Sequence, residues 1–198
     1  MAPAPPPPPF VLASASPRRR QLLAEVGLWF EIIAPDLDEA VRAKEAADAY
    51  VLRLAQEKAA QVAGRARGRP VLAADTTVVL DGAILGKPTG LGDAAAMLGQ
   101  LSGRQHQVFT AVAVDGPVRA STLVRTAVTF RALKPAEISW YVGTGEPMDK
   151  AGAYAIQGKA ANFVTDITGS PTNVIGLPMA ETLALLDKAG VSLPWSVR

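Results

Sequence analysis

The sequence predicts an α/β or α+β domain, because strand-like and helix-like segments follow one another along its 198 residues without a strict repeat. Three long runs rich in apolar and β-branched residues, at 71–80, 106–114 and 121–130, predict the strands of a sheet. Apolar residues at helical spacing predict a long helix from about residue 44 to 63. A chain of 198 residues is long enough for one large domain or two small ones with a substantial core.

The first third of the chain predicts strand, helix, strand and helix in that order. Segment 1–9 holds six prolines and no charge, which predicts a disordered tail and leaves 10–198 as the folded domain. A short strand at 10–15 meets a helix that starts at Ser16-Pro17 and stops at Gly27. A second strand at 29–34 and an acidic loop at 35–39 precede the long helix.

The rest of the chain predicts a hairpin, a pair of long strands and three helices. Asp81-Gly82 favours a tight turn from the 71–80 strand into a short strand at 83–85. We expect helices at 91–101, 135–142 and 178–189, the last closed by Gly190. A glycine-punctuated segment runs to Gly158, and a further strand is expected at 163–167.

Composition excludes several kinds of chemistry. The chain has no cysteine, which rules out disulfides, thiolate metal sites and a cysteine nucleophile, and it has one histidine, His106. Any metal must therefore be held mainly by carboxylates, which favours a hard cation such as Mg²⁺ or Mn²⁺. A net charge of +2 without a polybasic block predicts neither nucleic-acid nor membrane binding, and we expect a soluble, cytoplasmic protein.

Two basic features indicate an anion site. Ser14, Ser16, Arg18 and Arg19 stand at the junction of a strand and a helix, where hydroxyls, free backbone N–H groups and guanidinium groups favour a polyphosphate. The alternative is that Ser16 merely caps the helix and the arginines are solvated. Lys58 lies on the apolar stripe of the long helix, so it either faces an anionic cleft or extends its stem to solvent.

One carboxylate stands out because it interrupts a strand. Asp75 lies between two apolar runs, where a charge is costly unless it is paired, hydrogen-bonded or bound to metal. A turn or bulge residue is the alternative explanation. Lys87, between Gly86 and Pro88, can present an ammonium group to phosphate, but an ordinary surface turn has the same pattern. Gln157 can hydrogen-bond the edge of a base, but its glycine-rich loop is by itself unspecific. His106 begins an alternating strand and is interpreted as structural.

Taken in order, these segments resemble the Maf family of nucleotide pyrophosphatases. The similar stretches are 12–19, Asp38-Glu39, Leu54-Ala55 with Lys58-Ala59, 74–76, 85–88, 101–103 with His106, 149–154 with 156–158, and 176–178. The resemblance implies a curved mixed sheet flanked by helices, two lobes around a nucleotide cleft, and frequent homodimers. It also implies cleavage of a nucleoside triphosphate between its α- and β-phosphates with a divalent metal.

The resemblance also implies roles for individual residues. Asp75 would be the proton acceptor, and Glu39 would belong to the phosphate and metal environment. Arg18, Thr76 and Gln157 would set base preference. Ser14, Arg19, Lys58 and Lys87 would surround the phosphates. Ser16 is expected to join them because of its place at the start of the helix. Apart from the resemblance, we expect a hard cation to be held by Asp75 with Glu39.

Three short motifs indicate which nucleotide is preferred. Pro17-Arg18-Arg19, Ala74-Asp75-Thr76 and Ile156-Gln157-Gly158 are similar to the branch of the family that acts on dTTP and UTP. The alternatives are a pyrophosphatase for noncanonical purine or 7-methylguanosine nucleotides, and a non-hydrolytic nucleotide-binding regulator of cell division.

Overall fold

The computed structural model describes residues 7–196, and the strands within them form one mixed sheet. Their order is β2-β1-β3-β5-β6-β7, with β4 paired to β3. The strands are β1 (Val11–Leu12), β2 (Glu31–Ile32), β3 (Val71–Leu80), β4 (Ala83–Leu85), β5 (Gln105–Asp115), β6 (Ala120–Phe130) and β7 (Val164–Thr168). Strand β1 is parallel to β2 and β3, whereas the other pairs are antiparallel. The predicted mixed sheet flanked by helices is confirmed.

Six α-helices surround this sheet within the described residues. They are α1 (Pro17–Glu25), α2 (Ala47–Ala63), α3 (Leu91–Leu101), α4 (Pro135–Gly143), α5 (Pro171–Ile175) and α6 (Met179–Lys188). Three short 3₁₀ turns at Glu146–Asp149, Ala151–Ala153 and Lys159–Phe163 link α4 to β7. Neither these turns nor α5 was predicted from the sequence.

Side chains alternate along β3 between the two faces of the sheet, and each face packs against different helices. Val71 and Ala73 face α2 and pack with Val51, Ala55 and Val62, where alanines let the helix approach the sheet closely. On the other face, Leu72 and Ala74 pack against α1 and α6. Further along the same face, Val78 and Leu80 pack against α3 and α4. The middle of β3, which carries Asp75, thus lies between these clusters.

Some predicted boundaries need correction. Strands β1 and β2 hold two residues each, shorter than the predicted 10–15 and 29–34, because their parallel pairing ends after two positions. The predicted hairpin at Asp81-Gly82 is present, with positive φ angles of 50° and 81°. Most of the predicted tail at 1–9 lies outside the described residues, and its disorder stays a prediction.

Candidate active site

A cavity of about 520 Å³ lies where α1, α2 and the middle of β3 meet. Every residue that the sequence singled out for the site lines it, and these are Ser14, Ser16, Arg18, Arg19, Glu39, Lys58, Asp75, Thr76, Lys87 and Gln157. They come from segments that are up to 143 residues apart in the chain (14 to 157). The acidic Asp36 and Asp38 do not belong to this lining set.

A lysine between two carboxylates forms the charged centre of the cavity. Lys58 Nζ lies 2.7 Å from Asp75 Oδ1 and 2.5 Å from Glu39 Oε1. Both Lys58 and Asp75 are buried, with exposed fractions of 6% each. The ammonium of Lys87 lies 3.6 Å from Glu39 Oε2 at the more open side of the cavity. Lys58 therefore faces the cleft and does not extend to solvent.

Burial and charge act in opposite directions on the two carboxylates. Burial raises the pKa of Asp75 above its ordinary value, and it outweighs the opposing effect of Lys58. For Glu39, partial burial also favours the neutral form, but the ammonium groups of Lys58 and Lys87 together lower its pKa. The two acids therefore differ in proton affinity although they share one lysine.

The two carboxylates suit a hard cation that keeps most of its own water or phosphate ligands. Both converge on the ammonium of Lys58 through one of their oxygens, Glu39 Oε1 and Asp75 Oδ1. Within residues 7–196 no group of three or more acidic or histidine side chains could hold a metal. Mg²⁺ is commonly bound by one or two carboxylates together with substrate phosphates, so Glu39 and Asp75 fit such an ion.

Arg19 joins three parts of the cavity wall. Its Nε donates to the carbonyl of Gly176 at 2.8 Å, Nη1 to Ser14 Oγ at 3.3 Å and Nη2 to Thr76 Oγ1 at 3.1 Å. Gly176 has a φ of 119°, and a Cβ there would lie 3.4 Å from Thr76 Oγ1. Burial lowers the pKa of Arg19, but an arginine remains charged at neutral pH.

The start of α1 opens into the same cavity. Ser16 occupies the N-cap position, but within the described residues its side chain makes no capping hydrogen bond. Its backbone N–H donates to Ser14 Oγ at 3.2 Å, and Arg18 forms an ion pair with Asp149 at 3.4 Å. Helix N-termini attract anions, and the adjacent guanidinium groups strengthen that preference.

The segment that carries Gln157 is held from behind by a buried tyrosine and a glutamate. The N–H of Ala155 donates to Tyr141 Oη at 3.0 Å, and Tyr141 Oη donates to Glu146 Oε1 at 2.9 Å. The N–H of Lys159 donates to the same oxygen at 3.0 Å. Both ends of segment 155–159 are thus tied to one pair of side chains outside the cavity.

Comparison with known proteins identifies the family of this chain. The model of the family described as Maf-like protein matches residues 9–189. The chain belongs to the Maf family. It is 58% identical over 185 residues to a protein of Myxococcus xanthus named dTTP/UTP pyrophosphatase, covering 93% of this chain and 94% of the relative. A Salmonella typhimurium protein of the same name is 53% identical over 178 residues, covering 89% and 90%.

Comparison with solved structures matched this Maf protein to chains of low sequence identity. A HAM1 protein from Coxiella burnetii has a TM-score of 0.49 at 17% identity, covering 90% of this chain and 98% of that one. The Staphylococcus aureus Ham1 protein has a TM-score of 0.47 at 14% identity, covering 90% and 96%.

Sequence reasoning missed Tyr50, which also lines the cavity of this Maf protein. Its hydroxyl donates to the carbonyl of Glu39 at 3.0 Å and so fixes the acidic segment. A signal was present, because Tyr50, Leu54 and Lys58 are spaced by four residues and share one face of α2. His106, by contrast, is 2% exposed and packs against Phe130, which agrees with its interpretation as structural.

Within the described part of this Maf chain, no helix is both long and apolar enough to cross a membrane.

Proposed function

We propose that this protein hydrolyses dTTP and UTP to the nucleoside monophosphate and pyrophosphate. The observation that carries the proposal is the buried Asp75, which lies in a cavity that also gathers Arg18, Arg19, Lys58 and Lys87. A polyphosphate is the ligand that such a set of cations favours. The choice of dTTP and UTP is supported by relatives of that name at 53–58% identity.

Different cations of the cavity would bind different parts of the triphosphate. Arg18 and Arg19, with Ser14, Ser16 and the first turn of α1, would bind one end of it, and the exposed Lys87, beside Glu39, would bind it as well. Fixed positive groups stabilise the negative charge that develops on the leaving pyrophosphate. Arg18, Thr76 and Gln157 would contact the base and set its identity.

Asp75 would act as the general base. The oxygen of a water molecule attacks the α-phosphorus, one of its protons passes to an oxygen of Asp75, and the bond from the α-phosphorus to the α–β bridging oxygen breaks. Pyrophosphate leaves with the electrons of that bond. Lys58 holds that carboxylate in place through its bond to Oδ1. Glu39 and Asp75 would bind Mg²⁺ or Mn²⁺, which neutralises phosphate charge when present.

The proposal extends to assembly and location. Homodimers are frequent among the proteins that the sequence resembles. The exposed Trp29, just before the edge strand β2, and the exposed Ile32 within it support a contact between copies. A free nucleoside triphosphate as substrate is consistent with a cytoplasmic protein.

The decisive experiment compares two buried carboxylates. Asp75→Asn should lower pyrophosphate release from UTP and dTTP by about 1000-fold, the size of a lost general base, because an amide cannot accept the proton. Release is measured with Mg²⁺ or Mn²⁺ across a panel that includes inosine and 7-methylguanosine triphosphates.

Asp115→Asn is the matched control. Asp115 is also buried and ion-paired, to Arg119 at 3.0 Å, but it lies outside the cavity, so activity should persist. Full activity of Asp75→Asn would reject the assignment of the base. A preference for the modified purines would reject the proposed substrate, and nucleotide binding without turnover in the native protein would favour a regulator.

A further inference from the structure

A chain of hydroxyl groups lies behind the cavity wall, between β3 and β5. Thr76 on β3 is paired directly with Thr110 on β5, and their Oγ1 atoms are 3.0 Å apart. Thr110 Oγ1 donates in turn to the backbone carbonyl of Asn173 at 2.9 Å. Thr76 lines the cavity, whereas Thr110 is fully buried and does not belong to the lining residues.

The direction of the protons in this chain follows from what each partner can donate. A threonine hydroxyl has one proton and two lone pairs. The carbonyl of Asn173 can only accept, so it takes the proton of Thr110. Thr110 therefore accepts from Thr76, and the proton of Thr76 points away from the cavity.

Arg19 further limits the hydrogen bonds that Thr76 can make with a ligand. Its Nη2 can only donate, and at 3.1 Å it occupies one lone pair of Thr76 Oγ1. Thr76 then has one lone pair left and no proton to give. Toward a ligand, this hydroxyl acts as a hydrogen-bond acceptor.

The carbonyl of Asn173, the last acceptor in this row of hydroxyl groups, is held rigidly, so the direction of the protons stays fixed. Asn173 is fully buried, and its Nδ2 donates to the carbonyl of Val108 at 3.0 Å and to Thr126 Oγ1 at 2.9 Å. Its backbone carbonyl also accepts from the N–H of Gly176 at 3.0 Å. The acceptor that orders the hydroxyls therefore cannot rotate away without breaking several buried hydrogen bonds.

An acceptor of this kind distinguishes pyrimidines by the atom at position 3. Uracil and thymine carry their only pairing-edge donor there, N3–H, whereas cytosine has a lone pair at N3. We propose that Thr110 is a positioning residue that fixes the Thr76 hydroxyl as an acceptor, so that the site favours a pyrimidine with N3–H over cytosine. The inference rests on the proposed function, because it places Thr76 against the base.

The test compares UTP with CTP, which differ only at positions 3 and 4. Thr110→Val is nearly isosteric but removes the acceptor for the Thr76 proton, which can then turn toward the cavity. We expect the ratio of kcat/KM for UTP over CTP to fall about tenfold, the equivalent of about 1.4 kcal/mol. Thr110→Ser keeps the hydroxyl and should restore the native ratio.

A second buried threonine provides the matched control. Thr182 in α6 is fully buried and donates to the carbonyl of Pro178, so Thr182→Val loses a similar hydrogen bond outside the cavity. Its UTP:CTP ratio should equal that of the native protein. Thermal unfolding of all variants shows which of them are folded.

Binding of the non-hydrolysable α,β-methylene analogues of UTP and CTP separates this inference from the proposed function. Suppose that the native protein binds the UTP analogue more tightly than the CTP analogue but releases no pyrophosphate from UTP itself. The hydrolase proposal then fails, and the ratio of the two binding constants still tests the role of Thr110. Equal binding of both analogues by the native protein would overturn the inference. An unchanged ratio in Thr110→Val, or an equal fall in Thr110→Ser, would do so too.

Discussion

At the scale of the residue, His106 shows how burial controls a proton. Its Nε2 lies 2.9 Å from Tyr154 Oη, its ring meets Phe130 edge-on, and its Nδ1 has no partner among the described residues. Burial lowers the pKa of His106 from 6.5 to about 4. As the pH falls, His106 is therefore protonated near pH 6.5 in the unfolded chain but only near pH 4 in the folded protein. His106 adds stability above pH 6.5, and that contribution is lost as the pH falls toward 4.

The replacement His106→Asn should remove this pH dependence. Between pH 7 and 5, the free energy of unfolding of the native protein should fall by about 2 kcal/mol more than that of the variant. Urea denaturation of both proteins at the two pH values measures the difference, and groups shared by both proteins cancel. Parallel curves would show that His106 is protonated equally in both states.

Single residues were predictable where they broke a pattern. Asp75 interrupts an apolar strand and Lys58 interrupts an apolar helix face, and each anomaly marks a charge that the other one satisfies. Thr110 gave no such signal, because a threonine in an alternating strand is ordinary. Its role depends on the proton of a neighbour, which only the paired strands reveal.

At the scale of the element, segment 155–159 depends on a glycine. A Cβ at Gly158 would overlap the carboxylate of Glu146, which accepts from Lys159 N–H and Tyr141 Oη. Gly158→Ala should push the glutamate away and loosen the segment that carries Gln157. We expect KM for UTP to rise about tenfold with a smaller change in kcat, because about 1.4 kcal/mol of binding is lost.

Gly143→Ala is the control for this substitution. It lies at the end of α4, and a Cβ there would meet nothing within 4 Å. Its KM should therefore match that of the native protein in the same steady-state assay. A native KM in Gly158→Ala would show that the segment does not need this close approach.

The long strands were predictable from their alternation, whereas the five-residue helix α5 and the 3₁₀ turns were not. Strands β3, β5 and β6 hold 10 or 11 residues each, enough for alternation to identify them. Helix α5 has five residues, which is too few for a helical period to show. The 3₁₀ turns depend on glycines such as Gly152, whose φ of 67° follows from tertiary packing beside Val78.

At the scale of the whole molecule, the lining of one cavity carries more positive than negative side chains. Five cationic and three acidic side chains line the cavity, an excess of two positive charges that equals the net charge of the chain. The positive excess is thus placed for one small anion. That residues 14 and 157 line one cavity was predictable only from the family resemblance. Composition alone says nothing about which distant residues lie close together.

A ligand in this cavity should stabilise the whole fold, because its walls come from α1, α2, β3 and the segment before α6. The α,β-methylene analogue of UTP at 100 times its Kd should add about 2.7 kcal/mol to the free energy of unfolding. For a chain of this size, that corresponds to a rise in Tm of about 5–10 °C. Differential scanning fluorimetry measures it.

Two neighbouring arginines on α1 provide the matched pair for this measurement. Arg19 joins Ser14, Thr76 and Gly176 across the cavity, whereas Arg20 is exposed and does not belong to the lining residues. Arg19→Ala should abolish most of the Tm rise at the same analogue concentration, because it removes a cation and the link between the walls. Arg20→Ala, which removes the same charge from the same helix, should keep the rise. Equal shifts in both variants would mean that general positive charge, and not the wall-to-wall connection, determines nucleotide binding.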